Sequence, residues 1–216
     1  MRCRGGASVG LPRSFLMVHR SLSLFAGPLT ALAFLGATLG SSTAQSAKEK
    51  TEPCTACHGE DGNARIENTP SLAGQPAQYL LIQLILFRDK QRVAEAMTPF
   101  VEQLTDEDVQ ELAAYFSEQK PLPDPDLAPA DAALGAQGRK IADANHCGQC
   151  HLPSFTGREQ MARLAGQRED YLLKALNDFK AGLRPGLDGT MAEAVYNLAE
   201  PDFKALAHFL AHQPVE

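Results

Sequence analysis

Apolar positions in this chain recur at helical spacing, and they do so twice. Val109, Leu112, Ala113 and Phe116 follow the i, i+3, i+4, i+7 pattern that lines one face of a helix, and Phe203, Leu206, Ala207 and Leu210 repeat it 94 residues later. Each stripe has a start signal. Thr105 offers a hydroxyl cap before the acidic turn Asp106-Glu107-Asp108, and Glu200-Pro201-Asp202 places a proline where the amide it removes has no partner to lose. Further upstream, Leu72-Ala73-Gly74-Gln75, Tyr79-Leu80-Leu81, Leu84, Phe87 and Arg92 return 92 residues later as Leu164-Ala165-Gly166-Gln167, Tyr171-Leu172-Leu173, Leu176, Phe179 and Arg184. No alternating apolar and polar run of useful length accompanies them, so the pattern predicts an all-α chain built from one helical unit used twice.

One face differs between the copies. Ile82, Ile85 and Leu86 in the first stand where Lys174, Asn177 and Asp178 stand in the second, at spacings that share a helix face. The first copy is expected to bury this face in a thicker core, or against the other domain or a partner. Between the copies, residues 121–129 hold four prolines, which block regular helix and favour a stiff, extended connector. The expected organisation is therefore a first domain over residues 45–120, a Pro-rich linker over 121–130 and a second domain over 131–216. Units of this size bury a modest share of their surface on folding, so a bound group would supply part of each core.

The first 44 residues read as a targeting segment. Arg2, Arg4, Arg13 and Arg20 form a basic stretch, residues 21–40 are uncharged and largely apolar, and Ser42-Thr43-Ala44 offers small residues for cleavage before Gln45. This predicts a signal peptide over residues 1–44 and a periplasmic location, with Met17 as an alternative start. If left uncut, the apolar run is long enough to anchor the chain in a bilayer. Cys3 has no assigned role. Removing four arginines and no acid takes the formal charge from -6 to -10. Residues 45–120 hold thirteen acids and seven bases, against eleven and nine in 131–216. An acidic surface of this kind excludes nucleic acid as a partner and favours basic proteins.

The chemistry lies in two pentapeptides 93 residues apart, Cys54-Thr55-Ala56-Cys57-His58 and Cys147-Gly148-Gln149-Cys150-His151. Two thiols three apart share one side of a helical turn and can each add to a haem vinyl group, while the next residue offers an imidazole to the iron. About forty residues after each motif comes a methionine, Met97 or Met191, whose thioether can complete six-coordination from the far side. Four exported cysteines could instead form two disulfides or bind zinc, but neither explains a histidine after both pairs. The reading is two covalently bound haem c groups. The covalent attachment falls to Cys54, Cys57, Cys147 and Cys150, and the axial ligands are His58, Met97, His151 and Met191.

The tandem CxxCH motifs, the repeated Leu-Ala-Gly-Gln followed by Tyr-Leu-Leu, the later methionines and the closing helices resemble the cytochrome c4 family over nearly all of residues 50–213. The resemblance implies two tandem class I cytochrome c domains joined by the Pro-rich linker. It also implies a periplasmic one-electron carrier, soluble or membrane-associated, that takes electrons from a cytochrome bc complex or dehydrogenase and passes them to a terminal oxidase. In such proteins a proline carbonyl commonly orients the proximal histidine. Pro70 matches, and Ala162 takes its place in the second half, leaving a less constrained backbone there.

Of the remaining methionines, Met161 lies ten residues beyond His151, too near to wrap around the haem, and is expected to pack. His146, His208 and His212 are competing nitrogens, read as surface or supporting residues. Arg92 and Arg184 suit a haem propionate, with an exposed loop position the near alternative, and Gln75, Gln167, Tyr79 and Tyr171 are candidates for the haem edge or for packing and capping. Two alternatives stay open. One is the dihaem electron-accepting subunit of a periplasmic dehydrogenase, resembling flavocytochrome c. The other is a haem enzyme, which needs an open iron that two matched methionines argue against.

Overall fold

The computed structural model describes residues 42–215, with side chains from residue 49 onward, all within one compact unit. The signal peptide expected over residues 1–44 lies outside the described residues except for its small-residue end, which falls in the first turn of helix α1. Among the described residues there are nine helices and no strand. They are α1 (Ser42–His58), α2 (Ala77–Arg88), α3 (Thr98–Val101), α4 (Asp106–Glu118), α5 (Ala132–Ala144), α6 (Cys147–His151), α7 (Glu169–Lys180), α8 (Thr190–Val195) and α9 (Glu200–Ala211).

Both closing stripes form the helices they predict. In α4, Val109, Leu112, Ala113 and Phe116 are all buried, and in α9 Phe203, Leu206, Ala207 and Leu210 are buried likewise. The start signals act as the sequence suggests. The Thr105 hydroxyl accepts the Asp108 amide at 3.1 Å, while the Asp108 carboxylate accepts the Thr105 amide at 2.9 Å, a reciprocal cap on two otherwise unpaired donors. At α9, Pro201 sits in the first turn and Asp202 accepts the Ala199 amide at 2.8 Å.

In each half the helix that leads into the CxxCH motif crosses the closing helix, α1 with α4 and α5 with α9, and the two crossings are built differently. In the second half, Gly138 lets α5 approach α9 so closely that a Cβ there would stand 2.1 Å from the Ala205 carbonyl oxygen. In the first half, Lys50 on α1 reaches Asp108 at 2.7 Å and Glu111 at 2.6 Å on α4. Lys50 and then Thr105 hold the Asp108 carboxyl down to about 2. The motif helices differ too. α1 runs through Pro53 to His58 without a break, whereas α5 stops at Ala144 and the chain turns through His146, with φ of 56°, before α6.

The contrasting face behaves as a half-buried surface. Leu86 is buried in the first half, while Ile82 and Ile85 keep intermediate exposure; Lys174 and Asn177 are exposed in the second. Only Leu86 of this face is therefore sealed, and the isoleucines are neither sealed nor open. The segment between the halves carries no helix over residues 119–131 and is pinned at several points. Asn63 donates to the Lys120 carbonyl at 3.1 Å and accepts the Leu122 amide at 2.8 Å. Asp124 lies 3.0 Å from the Arg168 guanidinium, and Leu127 packs on the second core.

Candidate functional site

Each half presents the same proximal arrangement. The His58 Nδ1 lies 2.9 Å from the Pro70 carbonyl oxygen, and the His151 Nδ1 lies 2.9 Å from the Ala162 carbonyl oxygen. These are the two carbonyls expected from the sequence, Ala162 included. A carbonyl can only accept, so each Nδ1 carries the proton and each Nε2 carries the lone pair, the tautomer a metal needs. Burial lowers the pKa of both rings, against the raising effect of the carbonyl bond, and so keeps them neutral and able to ligate. The His151 Nε2 is buried and has no hydrogen-bond partner among the described residues. A buried, unpaired lone pair is costly in an apolar site, and a metal ion is the partner that suits it.

The thiols sit beside these rings. Cys54 and Cys57 lie in the last turns of α1 and Cys147 and Cys150 in α6, with the first of each pair half-buried and the second exposed. None is in a disulfide. Burial raises the pKa of the Cys54 and Cys147 thiols. Cys147 and Met191 both pack against the second core, and Cys54 packs against the first. Met97 immediately precedes α3 and Met191 opens α8, so a short helix fixes each thioether. Met161 lies in the loop before Ala162, its backbone paired in both directions with Arg158.

Two of the competing histidines, His208 and His212, are taken. The His208 Nε2 accepts the Asp131 amide at 2.9 Å and its Nδ1 faces Glu169 at 3.2 Å, while His212 places its two nitrogens 2.8 Å and 3.0 Å from the carbonyls of His208 and Ala128. Glu169, His208 and His212 thus lie close together, yet every ring nitrogen already has a protein partner. His208 is buried rather than superficial, and it ties the start of α5 to α9.

The two halves meet through the repeated tetrapeptide. The Gln75 side chain donates to the Arg163 carbonyl and accepts the Arg163 amide, both at 2.9 Å. The Gln167 side chain does the same to Ser71, at 2.8 Å in each direction. Residues 71 and 163, and 75 and 167, are counterparts at the 92-residue offset, so the contact is self-complementary, as a twofold interface is. Beside it, Arg184 donates to Tyr79 at 2.9 Å and to Tyr171 at 3.2 Å, and Arg92 donates to Tyr171 at 3.3 Å. Arg92 and Arg184, for which the sequence leaves an exposed loop position as the near alternative, therefore converge on two phenols from opposite halves. Among the described residues no carboxylate pairs with either guanidinium, which suits them to an anion such as a haem propionate.

Sequence reasoning singled out the glutamines without their role and missed Arg163 entirely. Its signal was a basic residue in the second copy where the first has Ser71.

Comparisons with known proteins agree with this division into halves. Residues 43–116 match the family model for cytochrome c oxidase, cbb3-type, subunit III, and residues 135–214 match that for cytochrome c. Cytochrome c4 of Pseudomonas aeruginosa is 33% identical over 189 residues, covering 84% of this chain and 94% of that protein. The thiosulfate dehydrogenase electron acceptor of Thiomonas intermedia is 32% identical over 215 residues, covering 94% and 95%. The crystal structure of reduced recombinant cytochrome c4 from Pseudomonas stutzeri superposes with a TM-score of 0.72 at 32% identity, covering 79% of this chain and 98% of that one.

Proposed function

Because the chain belongs to the cytochrome c4 family and carries two covalently bound haem c groups in tandem cytochrome c domains, we propose that it is a one-electron carrier with His/Met ligation in both halves. In this reading the domains span residues 45–120 and 131–216, with 121–130 between them. Cys54, Cys57, Cys147 and Cys150 form the thioether links, and His58 with Met97 and His151 with Met191 are the axial pairs. Each haem, when bound, supplies a ferric/ferrous couple. The protein's part is to orient and enclose it. Pro70 and Ala162 hold the proximal imidazoles, α3 and α8 fix the thioethers, and Arg92 and Arg184 offer cations to the propionates.

The observation that carries this reading is the pair of matched imidazoles, each with Nδ1 on a carbonyl and Nε2 left to ligate. With both axial positions filled by protein, neither site keeps a position for substrate, so the chain is a carrier rather than an enzyme. The expected result is two haems per chain, a methionine-to-iron charge-transfer band that weakens in Met97→Ala and again in Met191→Ala, and no carbon monoxide binding by the ferrous protein. Carbon monoxide uptake by the unmodified protein at either haem would reject it.

We place the chain in the periplasm, exported by the segment over residues 1–44. Among the described residues no helix is long and apolar enough to cross a membrane. Its partners are a redox protein donor and acceptor. Val93 and Phe100 near Met97, and Leu183, Leu187 and Tyr196 near Met191, are exposed apolar side chains that suit brief docking at each site. The likeness to a thiosulfate dehydrogenase electron acceptor favours a dehydrogenase as donor over a cytochrome bc complex. Stopped-flow reduction by each candidate donor separates the two: the true donor reduces the protein in a second-order step that slows with added salt.

A further inference from the structure

Arg163 is a charge in an unusual place. Only 3% of the residue is exposed, and no carboxylate pairs with its guanidinium among the described residues. One arm donates to the Ala73 carbonyl at 2.9 Å and another to the Ala165 carbonyl, while the Nε hydrogen is buried without a partner. Ala73 and Ala165 are the same residue of the repeated tetrapeptide, one from each half. The guanidinium therefore bridges equivalent backbone atoms across the interface. Its own backbone is clamped by Gln75, and it directly follows Ala162, whose carbonyl holds the proximal His151. At the matching place in the first half, Ser71 spends its hydroxyl on the Ala64 amide at 3.1 Å. At this matched pair of positions the interface thus holds one cation where its symmetry would provide two or none. Burial without a carboxylate pulls the Arg163 guanidinium down to about 10, which leaves it charged at neutral pH.

We propose that Arg163 is an electrostatic tuning residue that raises the reduction potentials of both haem sites. The proposal rests on the reading that each half carries a His/Met haem. A ferric site bears one more positive charge than the ferrous site, so a fixed cation buried between the halves disfavours the ferric form in each. Two carbonyls partly screen the charge but do not neutralise it. In an effective dielectric of about 20, a unit charge need only stand within about a dozen ångströms of a one-electron centre to change its equilibrium about tenfold. For a one-electron couple that is about 59 mV.

The test is a spectroelectrochemical titration of the full haem-loaded protein and its Arg163→Gln and Arg163→Lys variants, with haem content and the methionine charge-transfer band recorded for each. The expected result is that Arg163→Gln keeps both haems and both bands while its two midpoint potentials fall about tenfold in equilibrium terms. Arg163→Lys, which retains a cation, recovers more than half of that fall. If the glutamine variant does not keep its haems, Arg163→Met, better suited to burial, makes the same comparison. Potentials unmoved in the neutral variant, or equal falls in the neutral and lysine variants, would overturn the proposal and reduce Arg163 to a bridge between carbonyls. An unmodified protein lacking two methionine-ligated haems would instead overturn the ligation on which it rests.

Discussion

Tyr171 stands between two guanidiniums from opposite halves, and this changes what its hydroxyl can do. Burial alone would raise the phenol, yet Arg184 and Arg92, each also hydrogen-bonded to the oxygen, pull it below the usual tyrosine range. One tyrosine should therefore ionise below pH 10 in an absorbance titration of the native protein, and Tyr171→Phe should abolish that step. The sign of the linked effects follows. A depressed folded pKa means the ionised form is favoured by folding, so this contribution to stability appears as pH rises through the folded value and is complete above pH 10. A phenolate there also adds negative charge between the halves, so the haem potentials should fall across the same titration. A native protein whose potentials stay flat up to pH 10 would contradict this placement of the charge.

At the level of helices, the crossing of α5 and α9 depends on a missing side chain. Gly138→Ala would drive a Cβ to 2.1 Å from the Ala205 carbonyl oxygen, where backbone rather than a flexible side chain must yield. The variant should lose about 3 kcal/mol from the second half, at the upper end of typical overpacking costs, read as a lowered urea midpoint. An unchanged midpoint would mean the helices can separate freely. This crossing also explains what could be read in advance. The stripes of α4 and α9 were visible because large apolar residues at helical spacing have one bland explanation, a buried face. The helices leading into the motifs were not, because α1 meets its neighbour through Lys50 and α5 through a glycine, and neither looks like a core residue in isolation. In α5 the cap Asp131 followed by Leu134, Gly138, Ile141 and Ala142 was the available clue. The proximal carbonyls were legible only because a family resemblance marked Pro70 and the repeat carried the position to Ala162.

For the whole molecule, the decisive contacts are polar and reciprocal, and a repeat shows them only once both copies are folded against each other. Gln75 and Gln167 recur in the sequence at the same offset as everything around them, so nothing there distinguishes an amide turned toward its own haem from one reaching into the other half. In the structure each satisfies the backbone N–H and C=O of the residue matched to Ser71 or Arg163. Truncating Gln75 to alanine strands two buried backbone groups, each costing about 1–3 kcal/mol when left without a partner. The halves would then be joined by the Gln167–Ser71 pair, the Arg163 bridge to Ala73, the Asn68 amide on Asp170, the Arg–Tyr cluster and the segment over residues 121–130. Gln75→Ala and Gln167→Ala should each weaken the native assembly by about 2–4 kcal/mol. The double variant should split one denaturation transition into two, one per half, when the haem absorbance and helix signal are followed in urea. Because each half keeps its own proximal histidine and closing helix, both haems should remain bound and methionine-ligated before either transition. A double variant that still unfolds in a single step at the native midpoint would place the coupling between the halves elsewhere, in Arg163 and the Arg92–Tyr171–Arg184–Tyr79 cluster.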